Sequence, residues 1–406
     1  MKLIVVVIRG ANTRFLPAYG NSWVQLPNLS VLSARGLTLD YYFASSWNEK
    51  DIRQAWLGDS WFGDKKPEKD LSEILSNAGW NLAFLSDHQN ECPTEFQKAF
   101  TFQNFIPGAS ENPLLLHSAM EENEAYLSEK NALIWIETDF LLPPWKVSEE
   151  FLSPFVEELH DYLLDKEEVE EGAEMPVPIL NPKEERLESN DLNFLARQSG
   201  LAAAWSQIDD FVGAIVASAQ EKFKEGEFAI LVTSDHGLAI GEHGGFCDNP
   251  NLLYNEWVHL PMVIYAPSRG IAGQRFQGFW QDLDLAPTIL DLAGLPHDGF
   301  HGKSILQGNG IHSGSRPYSI CRAEGKSGEK LYALRTENHT YLENRAEKEE
   351  ARQELYLMPE DILELNEVSK SNHGFVEEYE KIAATLTKGE TLQALQLLEN
   401  LIQQGH

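Results

Sequence analysis

Cysteine is scarce in this chain, basic residues are outnumbered, and long apolar runs are missing. The three cysteines, Cys92, Cys247 and Cys321, are widely spaced, odd in number and form no CxxC pair. That pattern speaks against a disulfide framework or a structural zinc site. Lysine and arginine total 32 against 63 acidic residues, a formal net charge of -31. Such an excess repels nucleic acid and anionic membranes, so neither is expected as a partner. No run of apolar residues is long enough to span a bilayer. The amino-terminal MKLIVVVIRG carries one lysine and no small-residue cleavage site; it reads as a first β-strand and not as a signal peptide. A cytoplasmic location is the resulting expectation.

What is present points to an α/β protein. The 406 residues allow a large domain with a smaller one. Apolar runs at Leu3–Ile8, Leu82–Leu85, Leu133–Ile136, Phe228–Val232 and Met262–Tyr265 are short and rich in Val, Ile and Leu. Runs of this kind suit parallel strands covered on both faces. Helical spacing links Leu201, Ala204, Trp205, Ile208, Phe211, Val212 and Ile215, and Pro287 with Gly294 frames another helix. The acidic block from Glu149 to Glu188, with DKEEVEEGAE inside it, reads as a solvated loop within an insertion spanning about 149–190. After residue 313 the pattern changes to short strands at Tyr332–Arg335, Thr340–Leu342 and Glu354–Leu357, then a helical tail from Phe375 to Gln403 broken near Lys388. Its leucines at 392, 395, 397, 398 and 401 read as core or docking residues, with a partner-binding stripe as the other possibility. The expected division is therefore 1–313 and 314–406.

The passage FAILVTSDHGLAIGEHGG, residues 228–245, carries the clearest chemistry. An apolar strand stops at Thr233 and delivers Asp235 and His236 into a glycine-rich turn. In open α/β sheets ligands bind outside the carboxyl ends of strands. The pair can serve as metal ligands, as acid and base, or as a structural hydrogen-bonded pair.

Several passages together resemble the sulfatase family of the alkaline phosphatase superfamily: YGN at 19–21 with PNLSVLSARGLTLDYYFASS, SDHGLAIGEHG, YNEWVHLPMVIYAPSRG, DLDLAPTILDLAGLP, YALRTENHTYL and ELYLMPEDILELNEVS. The resemblance implies an alkaline-phosphatase-like, mostly parallel central sheet flanked by helices, with a small carboxy-terminal antiparallel and helical subdomain. It also implies calcium held by carboxylates, a formylglycine nucleophile matured from a C/S-x-P-x-R signature, basic residues on the sulfate and a proton-donating histidine.

This chain departs from that pattern. The family's paired aspartates after the first strand correspond to Arg9 and Gly10. The nucleophile position corresponds to Asn48 and the signature arginine to Ile52. The Asp-Pro-His motif is replaced by LLPPWKV at 141–147, and the lysine expected before LYNE falls near Pro250. Asp235 and His236 are kept, and His88 stands where the family has a Lys and His after a strand. Calcium is thus implied by the resemblance but lacks most of its ligands, and no cofactor is expected.

Two placements of Arg9 are open: it replaces the cation and pairs with Asp235, or it turns to solvent or another acid. Asp235 and His236 can also combine with His88 or His243 around zinc, and Glu242 with His243 can simply shape the loop. Ser46 with Arg53 offers a metal-poor hydrolase without a visible base. Pro143-Pro144-Trp145 is a rigid turn or an aromatic floor. The leading expectation is a catalytically impaired pseudoenzyme that binds a small anionic ligand or a protein. The alternatives are a sulfuric or phosphoric ester hydrolase around Asp235 and His236, and an assembly partner of an active relative.

Overall fold

The computed structural model describes all residues except 63–65, 89–93, 124–130, 166–176, 183–191, 245, 248–250, 308–309, 312–314, 326, 347–349 and 405–406. Packing divides the chain into two units. The first comprises Met1–Thr38, Ser76–Asp248 and Pro261–Gln274, and the second Leu39–Leu75, Asn249–Leu260 and Arg275–His406. The expected boundary at 313/314 separates segments of sequence, whereas the packing units interleave along the chain.

The first unit is built on β1 (Lys2–Ile8), the start of β2 (Leu37–Phe43), β3 (Asn81–Ser86), β4 (Phe102–Phe105), β5 (Ala132–Thr138), β6 (Phe228–Thr233) and β7 (Val263–Tyr265). The strands run in the order β7-β6-β1-β5-β3-β4, with Leu37 and Thr38 of β2 beside β7. β1 pairs in parallel with β5 and β6, and β3 in parallel with β5 and β4. Every residue of β1, β5 and β6 is buried, as the continuous apolar runs require when both faces are covered. Ile4, Val6 and Ile8 pack in one cluster with Trp205, Ile208 and Phe211 of the long helix Leu192–Lys222. Asp209 of that helix accepts the backbone N–H groups of Asn28 and Leu29 at 3.0 and 2.7 Å, closing the start of the helix Pro27–Arg35.

Two expectations are corrected in this unit, and one open alternative is closed. Met262–Tyr265 supplies β7, which runs antiparallel to both β2 and β6; an unbroken apolar run reports burial on two faces and says nothing of direction. The acidic block does not begin as a loop: Glu149–Asp165 is a helix that buries Phe155 and Leu159. Most of DKEEVEEGAE falls outside the described residues. Trp145 is no aromatic floor for a ligand. It is buried, and its indole N–H donates to the Leu141 carbonyl at 2.7 Å.

In the second unit β8 (Gln274–Gln281) neighbours β2. A four-stranded antiparallel sheet follows, ordered β9 (Tyr318–Glu324), β10 (Lys330–Thr336), β11 (His339–Arg345) and β12 (Arg352–Leu357). The first of these strands has no counterpart in the sequence reading. The tail forms helices His373–Thr387 and Thr391–Gln403. Leu398 and Leu401 belong to the unit's core beside Tyr341 and Tyr379, while Leu392 is exposed. Among the described residues, no helix is long and apolar enough to cross a membrane.

Candidate functional site

Four parallel strands end at one edge of the sheet. The register pairs Ile8 with Thr138, Val7 with Thr233 and Ser86 with Glu137. The residues that follow each strand are therefore delivered side by side: Arg9 after β1, Asp87 and His88 after β3, Asp139 after β5, and Ser234, Asp235 and His236 after β6. A rigid sheet edge of this kind holds charged groups where loops alone could not.

Arg9 lies at the centre of the cluster and is buried. Its Nε donates to Asp235 Oδ2 at 2.9 Å and its Nη1 to Asp139 Oδ1 at 2.9 Å. The pairing with Asp235 open in the sequence is thus made, and a second acid joins it. Asp235 Oδ1 accepts the backbone N–H of His236 at 2.8 Å, and the His236 ring Nδ1 lies 2.8 Å from the same oxygen.

Asp139 is linked onward to Asp87, whose carboxylate accepts the Asp139 backbone N–H at 3.0 Å and the Thr138 hydroxyl at 2.6 Å. His88 closes the group. Its Nδ1 lies 2.9 Å from Ser86 Oγ, 3.3 Å from Asp87 Oδ1 and 3.5 Å from Asp139 Oδ1, while Nε2 faces Glu137 Oε2 at 3.5 Å. Burial works against a charged imidazole. The hydrogen bonds to Asp87 and Glu137 and the charge of Asp139 outweigh it, raising the His88 pKa to about 10. Burial pushes Asp139 up to about 6 against the pull of Arg9 and His88. At neutral pH the network holds two cations, Arg9 and His88, among the acids Asp87, Glu137, Asp139 and Asp235.

A calcium ion at the position implied by the resemblance does not fit these residues. The ion would need several carboxylate or carbonyl oxygens, and the Arg9 guanidinium stands against Asp235 instead. Gly10 cannot readily host a missing ligand. It adopts φ of +84°, and a Cβ there would lie 2.8 Å from Leu142 Cδ2. A different trio, Asp87, His88 and Asp139, offers one ligand atom each within 4.8 Å of one another. A cation on that trio would compete with Arg9 for Asp139 and require a neutral His88.

The remaining expected site residues are placed as follows. Asn48 belongs to the second unit, where it is the N-cap of the helix Glu49–Leu57 and its Oδ1 accepts the Lys50 N–H at 2.9 Å. Ser46 Oγ donates to Asp51 at 3.0 Å and accepts the Asn48 N–H at 3.0 Å, so it acts within a turn. Arg53 faces Glu49 at 3.3 Å and stacks over Trp56. Ser46 and Arg53 are thus both tied to the helix Glu49–Leu57. Glu242 accepts from Arg14 at 2.6 Å and from the Ile240 N–H at 2.7 Å, shaping the loop that contains His243. The position near Pro250 lies outside the described residues.

Asp87, Glu137 and Asp139 escaped the sequence reading, which sought a histidine in LLPPWKV. The signal available was positional: each acid sits in or immediately after an apolar strand of the same parallel sheet as β1 and β6, the strands that lead to Arg9 and Asp235.

Comparison with known proteins bears on the same residues. A family model described as Sulfatase matches residues 3–295, and one described as N-sulphoglucosamine sulphohydrolase, C-terminal, matches residues 241–396. The chain is 34% identical over 108 residues to an N-acetylglucosamine-6-O-sulfatase of Bacteroides thetaiotaomicron, covering 25% of this chain and 19% of that one. It is 29% identical over 99 residues to the iduronate 2-sulfatase of Homo sapiens, covering 23% and 18% of the two chains. These matches span about a fifth of the curated relatives' length.

Among solved structures, a protein in complex with its substrate D-glucosamine-2-N,6-O-disulfate superposes with a TM-score of 0.74 at 15% identity, covering 97% of this chain and 98% of that one. The phosphonate monoester hydrolase of Agrobacterium radiobacter superposes with a TM-score of 0.66 at 14% identity, covering 98% and 95%. At such identities the likeness is one of fold. With the family model covering most of the length and the mostly parallel sheet carrying Asp235 and His236 at its edge, the chain belongs to the sulfatase family of the alkaline phosphatase superfamily.

Proposed function

We propose that this sulfatase-family protein is a catalytically inactive member that does not hydrolyse sulfate esters, serves in binding or assembly, and works in the cytoplasm without a metal. One observation carries the reading: the Arg9 guanidinium is paired with Asp235 and Asp139, both at 2.9 Å. The positive charge that an ion would supply is thus built into the chain and already answered by two carboxylates. The surrounding acids outnumber the cations, so a sulfate or phosphate ester gains little by approaching Arg9. This also weakens the expectation of a small anionic ligand at that position. Asn48 supports the same reading, since an amide cannot act as the oxidised nucleophile that the family resemblance implies, and loss of a nucleophile alone costs orders of magnitude in rate.

A second reading is favoured by the trio Asp87, His88 and Asp139, whose ligand atoms lie within 4.8 Å of one another. Loaded with a divalent ion, it would extend the site around Asp235 and His236 into that of an altered ester hydrolase.

The two readings separate in one experiment. Calorimetry with calcium, manganese and zinc is combined with turnover of 4-nitrophenyl sulfate and 4-nitrophenyl phosphate by the wild-type chain and by Asp235→Ala. The inactive reading expects no metal binding and no turnover above the Asp235→Ala background. Metal-dependent turnover that disappears in Asp235→Ala would overturn it in favour of the hydrolase.

A further inference from the structure

In the second unit, Asp282 follows β8 and is buried, 1% exposed. Its Oδ2 accepts the Ser45 backbone N–H at 3.0 Å. Among the described residues, its Oδ1 has no hydrogen-bond partner, and neither has the buried Ser45 hydroxyl. That hydroxyl nonetheless lies beside the carboxyl, close enough to act on its charge. An unpaired buried polar atom is costly, and an isolated buried carboxylate is costlier still.

The neighbouring cations are engaged by other acids. Arg316 donates to both oxygens of Asp284, at 2.5 and 2.9 Å, and Lys303 adds its backbone N–H to the same carboxylate at 2.8 Å. The helix Glu49–Leu57 packs against this turn, with Arg53 facing Glu49 at 3.3 Å and Asp51 held by Arg322 at 2.8 Å. On β9 the Tyr318 hydroxyl and the Cys321 thiol are pushed up by burial and stay neutral. Asp284, two residues on, is a like charge. Burial raises the Asp282 pKa to about 7, with Asp284 adding to it and hydrogen bonding from Ser45 opposing it.

A proton on Oδ1 answers both unpaired atoms. It removes the buried charge and gives the Ser45 oxygen a donor. Donation by the hydroxyl instead would pair the same atoms but leave the charge in place. The segment so held is a junction. Ala44 donates its N–H to the Val258 carbonyl at 2.9 Å, and the Ser45 carbonyl accepts the Trp61 indole N–H at 2.9 Å and the Arg322 N–H at 3.2 Å.

We propose that Asp282 is a pH-sensitive latch of the second unit: as a neutral acid it closes on Ser45 through both oxygens, and as an anion it loosens residues 44–47. The folded-state pKa stands above that of an unfolded aspartate, so the latch is closed in acid and its contribution is lost as pH rises through 7. None of these residues belongs to the Arg9 network, so the latch and the inactive reading fail separately.

The test is amide hydrogen exchange by mass spectrometry on the full chain at pH 6 and 8, corrected for intrinsic exchange, with infrared spectra of the carboxyl groups at the same pH values. Over that range, peptides covering 44–47 are expected to lose about tenfold more protection in the wild type than in Asp282→Asn. The asparagine amide keeps an acceptor and a donor and does not ionise. A protonated-carboxyl band is expected in the wild type at pH 6, fading by pH 8 and missing from Asp282→Asn. Asp282→Ser, smaller and also uncharged, serves both comparisons if the amide does not pack. Equal loss of protection in the wild type and the uncharged variant, or no titrating band that the variant removes, would overturn the proposal.

Discussion

Arg9 concentrates the physics of this protein in one side chain. Its guanidinium is buried and gives separate donors to Asp235 and Asp139, each at 2.9 Å. Removing one partner of such a buried set leaves unanswered charge, which costs more than the pair itself contributes. Arg9→Ala is therefore expected to destabilise the chain by about 3–5 kcal/mol in denaturant unfolding. Adding Asp235→Asn and Asp139→Asn to that variant should recover part of the loss, because the stranded carboxylates are then gone. Arg9→Lys should fall between, since an ammonium group cannot supply two donors in the fixed planar arrangement of a guanidinium. A loss below about 1 kcal/mol for Arg9→Ala would place this contact among exposed, screened pairs and remove its claim to replace an ion. Legibility at this scale was partial. Counting from YGN put Arg9 in the ligand position and allowed a bond to Asp235, but Asp139 was hidden because no motif marked it.

At the scale of elements, one carboxylate joins two helices. Asp209 lies on Leu192–Lys222, yet it accepts the Asn28 and Leu29 backbone N–H groups that begin Pro27–Arg35. That shorter helix has Leu26 at its N-cap with no side-chain hydrogen bond of its own, so Asp209 takes the capping role from a distance in sequence. Asp209→Ala is expected to lower stability by about 1–2 kcal/mol. Asp209→Asn should cost less, because the amide oxygen still accepts. Thermal unfolding of both variants checks the order; equal losses would show that charge, not acceptor geometry, carries the contact. Strand positions were largely readable because the buried strands are continuous apolar runs. The antiparallel direction of β7 was not, because pairing direction depends on the path of the chain and not on side-chain pattern. The helix Glu149–Asp165 was also missed, since its acidic side chains masked the spacing of Phe155 and Leu159.

The whole molecule carries a formal net charge of -31. Self-repulsion of that size opposes the compact state and is screened by salt over a length of about 10 Å at 0.1 M. Raising sodium chloride from low millimolar to a few hundred millimolar should therefore raise the thermal midpoint by several degrees. The buried Arg9–Asp235 and Arg335–Glu364 pairs, shielded from solvent, should weaken little. A midpoint that falls with salt would mean that local ion pairs outweigh the global excess.

By itself the sequence determined the class of fold and the identity of the first and sixth strands, and it raised the expectation that Arg9, Gly10 and Asn48 stand where the sulfatase resemblance implies ligands and a nucleophile. Those properties are local: burial on both faces writes an apolar run, and a family position is found by counting. Only the tertiary structure decided that Arg9 binds two acids and that Asp87, His88, Glu137 and Asp139 complete its surroundings. It also brought Asp282 to Ser45. Each of these depends on the register of strands far apart in the chain, and register follows from the packing of the sheet as a whole, which no single segment encodes.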